Sequence, residues 1–276
     1  MLPPALVVAI YVFITIGLAF IVRFFATLFE VGPAHHLESA AVAVSTFSTL
    51  TVAFLATWLT RLGTRERIGL TEPRVLRKFL WGMLWGALAV TVSVVVPALV
   101  GATTLTLTMP IPLVSGLVQF GILAPAGIGE ELLIRGLGFN ALRRGIGDTA
   151  AIIVSSVIFG AMHILNPNSS WIAVLLISLV GIWFGMLTVK TGSLWMPIGA
   201  HLAWNFFEGF IYGQPVSGTT PHSSLFDATN GSTSQFWSGG DFGPEAAGFT
   251  ALVLTAAIVV TIFVSRTQRT SLEQTS

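Results

Sequence analysis

Cysteine is absent from all 276 residues. Its absence excludes disulfides, thiolate metal sites and a cysteine nucleophile. Charge is scarce as well. Asp, Glu, Lys and Arg make up 9% of the chain, where a soluble domain carries about 25%, so water is not the main solvent of this fold. With 13 Lys and Arg against 12 Asp and Glu, the formal net charge is +1. That leaves no basic surface of the kind nucleic acid requires. Internal repeats are lacking, and so is a polar stretch that would make a separate soluble domain.

What is present is hydrophobic, at 54% of residues. Apolar runs fall near 5–29, 40–59, 79–102, 111–139, 149–165, 171–189, 194–212 and 246–264. Roughly 20 apolar residues span a bilayer, so the chain reads as an all-α polytopic membrane bundle of about eight helices. No positive residue precedes the first run, which is therefore read as a retained span rather than a cleaved leader. The expected organisation is residues 1–110 as N-terminal spans, 111–212 as a core, 213–245 as a flexible external loop and 246–276 as a last span with a cytosolic tail.

Basic residues set the orientation. Arg61, Arg65, Arg67, Arg74, Arg77 and Lys78 fall in the second connection, Arg143 and Arg144 in the fourth, Lys190 in the sixth, and Arg266 and Arg269 in the tail. The odd-numbered connections hold none. By the positive-inside rule both termini are expected in the cytosol. Arg23, near the outer end of the first run, stands on the other side, where snorkelling or Glu30 would accommodate it.

Three polar signatures interrupt these runs: Glu130-Glu131-x-x-x-Arg135, Phe159-x-x-x-His163 and His201-x-x-x-Asn205. Ionisable groups at membrane depth are costly and face the bundle interior. Residues four apart share a helix face, so Glu131 and Arg135 are expected to pair, lowering the cost of both charges. Glu130 is rotated about 100° from Glu131 and is left facing a cavity. Pro197 is expected to bend or open the start of its helix by removing a donor to the Ser193 carbonyl. Glu208, seven residues after His201 on roughly the same face, reads as an anchor at the outer end of its span, with the lining of an outer extension of the cavity as the alternative, and Asp148 reads as a helix N-cap.

Depth along the spans gives an independent test. From the cytosolic ends, Glu130 lies about 13 Å in, His201 about 10 Å, Asn205 about 16 Å and His163 about 21 Å, at about 1.5 Å per residue. In a hydrocarbon core about 30 Å thick, these four groups share one layer. Together they can activate a water and stabilise an oxyanion, which is the chemistry of amide or ester hydrolysis. The alternative is a divalent metal such as zinc held by Glu130, His163 and His201. The helical HExxH pattern of zinc proteases is missing, so the residues favour a carboxylate-activated water.

The order EExxxR, FxxxH, HxxxN on consecutive membrane helices resembles the CPBP family of intramembrane proteases, which includes the CAAX prenyl endopeptidases. The resemblance covers residues 115–210, and all three motifs are complete. It implies an endopeptidase of a cell membrane, a bacterial plasma membrane in this case, that cuts a hydrophobic or membrane-associated peptide within or near the bilayer. It further implies that Glu130 and His163 activate the water, that His201 and Asn205 bind the oxyanion, and that Glu131, Arg135 and Phe159 support them. Metal use in the family is disputed. The competing reading is a non-catalytic immunity or scaffold protein of the same fold. A proton channel would more often show internal symmetry, which this sequence lacks.

Overall fold

The computed structural model describes residues 69–273 apart from 72, 137–138, 222 and 232–234, with backbone alone beyond 264 and no side chain for residue 230. The expected spans 5–29 and 40–59 lie outside the described residues. The remainder is mostly helical. Helix α1 is Val75–Leu99, α2 is Leu113–Glu131, α3 is Phe139–Ile146, α4 is Asp148–Met162, α5 is Trp171–Thr191, α6 is Trp195–Phe206 and α7 is Gly248–Glu273. Two of them run on into π turns, Leu132–Gly136 after α2 and Phe207–Ile211 after α6, and α4 ends in a 3-10 turn at His163–Leu165.

Four helical stretches are long and apolar enough to cross a membrane: α1, Leu113–Ile146, Asp148–Leu165 and α5. Helix α6 has only 12 residues before its π turn, and the apolar part of α7, Gly248–Val264, is also short. Local signals explain the boundaries of α5. Ser170 caps its N-terminus by accepting from the Ala173 N–H at 3.1 Å, and Gly192 ends it at φ 62°, where a glycine relieves the left-handed strain. Lys78 Nζ donates to the Thr191 carbonyl at 3.0 Å, bringing the basic start of α1 to the end of α5.

Helix α6 is the axis of the bundle. Every residue from Pro197 to Asn205 is buried. Lipid gives no hydrophobic drive for helices to associate, so contact rests on close packing and small residues. A Cβ on Gly82 or Gly86 would overlap the Met196 and Ala200 backbone, and one on Gly199 would overlap the Phe79 carbonyl. Helices α1 and α6 therefore meet backbone to backbone. Around that seam pack Val90 and Val94 of α1, Trp183, Phe184 and Leu187 of α5, Trp204 of α6 and Leu254 of α7.

The Ser193 carbonyl has no helical donor, as expected from Pro197, which stands in the first turn of a helix that begins at Trp195; it accepts from Thr191 Oγ1 at 3.2 Å. One local expectation is corrected. Asp148 is the first residue of α4 rather than its cap, which is Gly147. The Asp148 carboxylate takes Arg143 in a two-point pair, with 2.8 Å from Nε and 3.2 Å from Nη2.

The segment 213–245, expected as a flexible loop, is built into the protein. Strand Phe226–Asn230 (β2) pairs antiparallel with Thr103–Leu107 (β1), with Thr103 opposite Asn230 and Leu107 opposite Phe226. Gln119 of α2 donates to the Ser223 carbonyl, and Asn166 and Asn168 donate to the carbonyls of Ser217 and Asp241. Short 3-10 turns at Gly240–Phe242 and Pro244–Ala246 bury Phe242 and Glu245 against the bundle. The polar residues that suggested disorder supply turns and hydrogen bonds here.

Candidate active site

Helix α2 brings the adjacent carboxylates in, and its end decides what each one does. Arg135 lies in the π turn four residues after Glu131, and its Nη1 sits 2.6 Å from Glu131 Oε1 with both side chains wholly buried. Nη2 of the same guanidinium donates to the Gly181 carbonyl of α5 at 3.2 Å, and its Cζ stands 4.6 Å from the centre of the Phe159 ring. The charge is therefore held by a carboxylate, a carbonyl and a ring face. The spacing in sequence predicted the pair. The anchoring to α5 was not visible there.

Helix α6 presents His201 to both glutamates. Its Nδ1 lies 3.1 Å from Glu131 Oε1, a hydrogen bond, and its Nε2 lies 3.8 Å from Glu130 Oε2, too long for one. With Nδ1–H donated to Glu131, the opposite nitrogen is directed at Glu130. Gly127, one turn before Glu131, faces the same imidazole, where a Cβ would stand in van der Waals contact at 3.4 Å. Glu130 is also the more open of the two carboxylates, with 26% of its side chain exposed against none for Glu131.

His163 caps the end of α4 and sits beneath Phe159. The His163 and Phe159 rings are 4.9 Å apart and nearly perpendicular, and Phe159 stands 6.1 Å from His201. Phe184 of α5 covers His201 from another side at 5.3 Å. His163 Nδ1 lies 2.8 Å from the Phe159 carbonyl. A carbonyl can only accept, so that nitrogen carries the proton and Nε2 keeps its lone pair. His163 makes no hydrogen bond or ion pair with Glu130 or His201 among the described residues. Asn205 is buried one turn after His201 with its Oδ1 unpartnered.

The metal alternative can be tested against this donor set. Among the described residues, no three His, Cys, Asp or Glu are gathered closely enough to hold a metal ion. As placed, Glu130, His163 and His201 do not converge on one metal-binding point.

Two further carboxyl groups lie beside these residues. Glu208, expected as an outer anchor or as the lining of an outer extension of the cavity, is wholly buried. Glu245 enters from the segment after β2, where Ser217 Oγ donates to its Oε2 at 2.6 Å. Burial pushes its carboxyl above the ordinary glutamate range, with Ser217 and the charges of His163 and His201 opposing that rise. The sequence did carry a signal for Glu208, which stands seven residues after His201 inside an apolar run. For Glu245 there was none, because its place depends on how a Gly- and Ser-rich segment folds back.

The same stretch of chain is matched by known proteins. The family described as type II CAAX prenyl endopeptidase, Rce1-like, matches residues 110–207. The Bacillus subtilis (strain 168) protein YdiL, a membrane peptidase by assignment, is 34% identical over 87 residues. That match covers 32% of this chain and 34% of the relative, so the chain matches about a third of YdiL's length. The matched stretch holds all three motifs, from Glu130 through Asn205. Over residues 110–207 the chain is similar to the type II CAAX prenyl endopeptidase family of membrane proteases.

Proposed function

We propose that this protein is an intramembrane endopeptidase that hydrolyses a peptide bond in or near the bilayer. The observation that carries the reading is the division between two adjacent carboxylates. Glu131 is locked to Arg135 and His201, while Glu130 is open and faces the other side of the same imidazole. A partly exposed carboxylate can reach water; a buried one in an ion pair cannot.

In this mechanism a water bound between Glu130 and Nε2 of His163 loses a proton to one of them as its oxygen attacks the scissile carbonyl. The carbonyl oxygen becomes an oxyanion, which the Asn205 amide stabilises together with His201 as an imidazolium, its Nδ1–H held by Glu131 and its Nε2–H turned to the oxyanion. Glu131 sets the orientation of His201 through Nδ1. The proton taken from water then passes to the leaving amine as the C–N bond breaks. Phe159 and Phe184 shield the imidazoles from bulk water. The substrate is a hydrophobic or membrane-associated peptide.

The direct test is purified protein in lipid discs, incubated with a library of membrane-spanning peptides and read by mass spectrometry. Native protein is expected to generate defined fragments, and Glu130→Ala none. Full proteolysis by Glu130→Ala would overturn the assignment of the nucleophile's activator.

A further inference from the structure

A line of buried polar atoms continues past the hydrolytic groups along α6 and its π turn. Neither carboxylate oxygen of Glu208 has a hydrogen-bond partner, and the same holds for the Trp204 indole N–H and for Asn205 Oδ1. All three side chains are more than nine-tenths buried. The Trp204 indole and the Glu245 backbone face the Glu208 carboxylate without closing a bond of normal geometry. Glu245 joins this line to the catalytic groups, being close enough to feel Glu208 on one side and Glu130, His163 and His201 on the other.

The chemistry of the line is one-sided. Three unpartnered acceptor atoms face one unpartnered donor. Arg135, the buried cation among the described residues, is already committed to Glu131 and the Gly181 carbonyl. A buried polar atom left unmade is costly, and a Lys or Arg side chain brings several donors together with a charge that holds neighbouring carboxyls ionised. Water accepts as readily as it donates and brings no charge.

We propose that Glu208 and Glu245 form an acidic subsite that receives a Lys or Arg side chain of the substrate beside the scissile bond. This rests on the endopeptidase reading above. Glu208 stands three residues beyond Asn205, about 5 Å along the helix, and an extended peptide advances about 3.3 Å per residue. The basic residue therefore falls within about two positions of the bond that is cut. Glu245 belongs to the turn Pro244–Ala246 and Glu208 to the π turn after α6, and both are buried.

The experiment compares apolar membrane-spanning peptides that carry one Lys with the same peptides carrying neutral citrulline in its place. Native protein should favour the Lys peptide in kcat/KM by roughly ten- to a hundredfold, the range of a charge-assisted hydrogen bond. Glu208→Gln and Glu245→Gln, which keep shape and remove charge, should each bring that ratio toward unity. Binding of the two peptides to Glu130→Ala protein reads the subsite without turnover, and the same preference is expected in Kd. Equal affinity for both would overturn the subsite and assign the carboxylates to bound water, even if no peptide is cut. A preference that survives both Gln variants would overturn it too. Absence of any Glu130-dependent cleavage, with the binding preference intact, would remove the endopeptidase reading and leave the subsite standing.

Discussion

Glu131 and Arg135 are expensive to bury singly and tolerable as a pair, so their removal should be strongly asymmetric. Arg135→Met leaves the Glu131 charge enclosed without a partner and is expected to cost about 3–5 kcal/mol, read as a lower unfolding temperature in detergent. The double variant Glu131→Gln with Arg135→Met removes the orphaned charge and should recover most of that loss. Glu131→Gln alone tests orientation. His201 loses a charged acceptor, so kcat should fall by roughly a hundredfold or more while KM stays near native.

Glu245 adds a pH dependence of its own. Its folded carboxyl titrates above the ordinary glutamate range because it is buried. The folded state thus binds the proton more tightly, and the associated stability is fully present below the ordinary value. It is lost as pH rises through the raised one. Unfolding temperatures from acidic to neutral pH should show this downward trend in the native protein, and Glu245→Gln should flatten it.

At the scale of elements, the helices were legible because their cause is local. Apolar runs mark spans, and Ser170 and Gly192 mark the ends of α5. The Glu131–Arg135 pair was legible for the same reason, since a four-residue spacing fixes a shared face. The partners of that pair were not, because the Gly181 carbonyl and the Phe159 ring come from α5 and α4. The segment after residue 212 was least legible. Thr103–Leu107 alternates Thr and Leu as a strand does, but its partner lies more than a hundred residues away.

That pairing makes a specific prediction. Gly231 donates to Ala102 and Thr108 to Leu225, so by antiparallel alternation Thr229 is also a ladder donor. Thr229→Pro removes it and should speed amide exchange across Thr103–Leu107. Unchanged protection there would show that the strands do not depend on each other. The helix seam is stricter. Gly86→Leu meets the Ala200 backbone, and overpacking of this kind is expected to cost about 1–3 kcal/mol, measured by unfolding in detergent.

For the whole molecule, the distribution of charge predicts an orientation. Lys190 lies in the last turn of α5 and Asn168 just before its start, and the chain offers a clean background for labelling because it lacks cysteine. In intact cells an impermeant thiol reagent should modify Asn168→Cys and should reach Lys190→Cys only after permeabilisation. The reverse pattern would invert the bundle, and with it the side from which Glu130 is reached.

The central claim is that this membrane bundle cuts peptide bonds through Glu130. The most direct measurement compares new protein N-termini in membranes of cells carrying the native chain or Glu130→Ala at equal expression, with no prior choice of substrate. The account predicts a set of termini at or near membrane spans that is present with the native chain and missing with the variant. Identical profiles would contradict it and favour a protein that keeps the protease fold to bind a membrane partner.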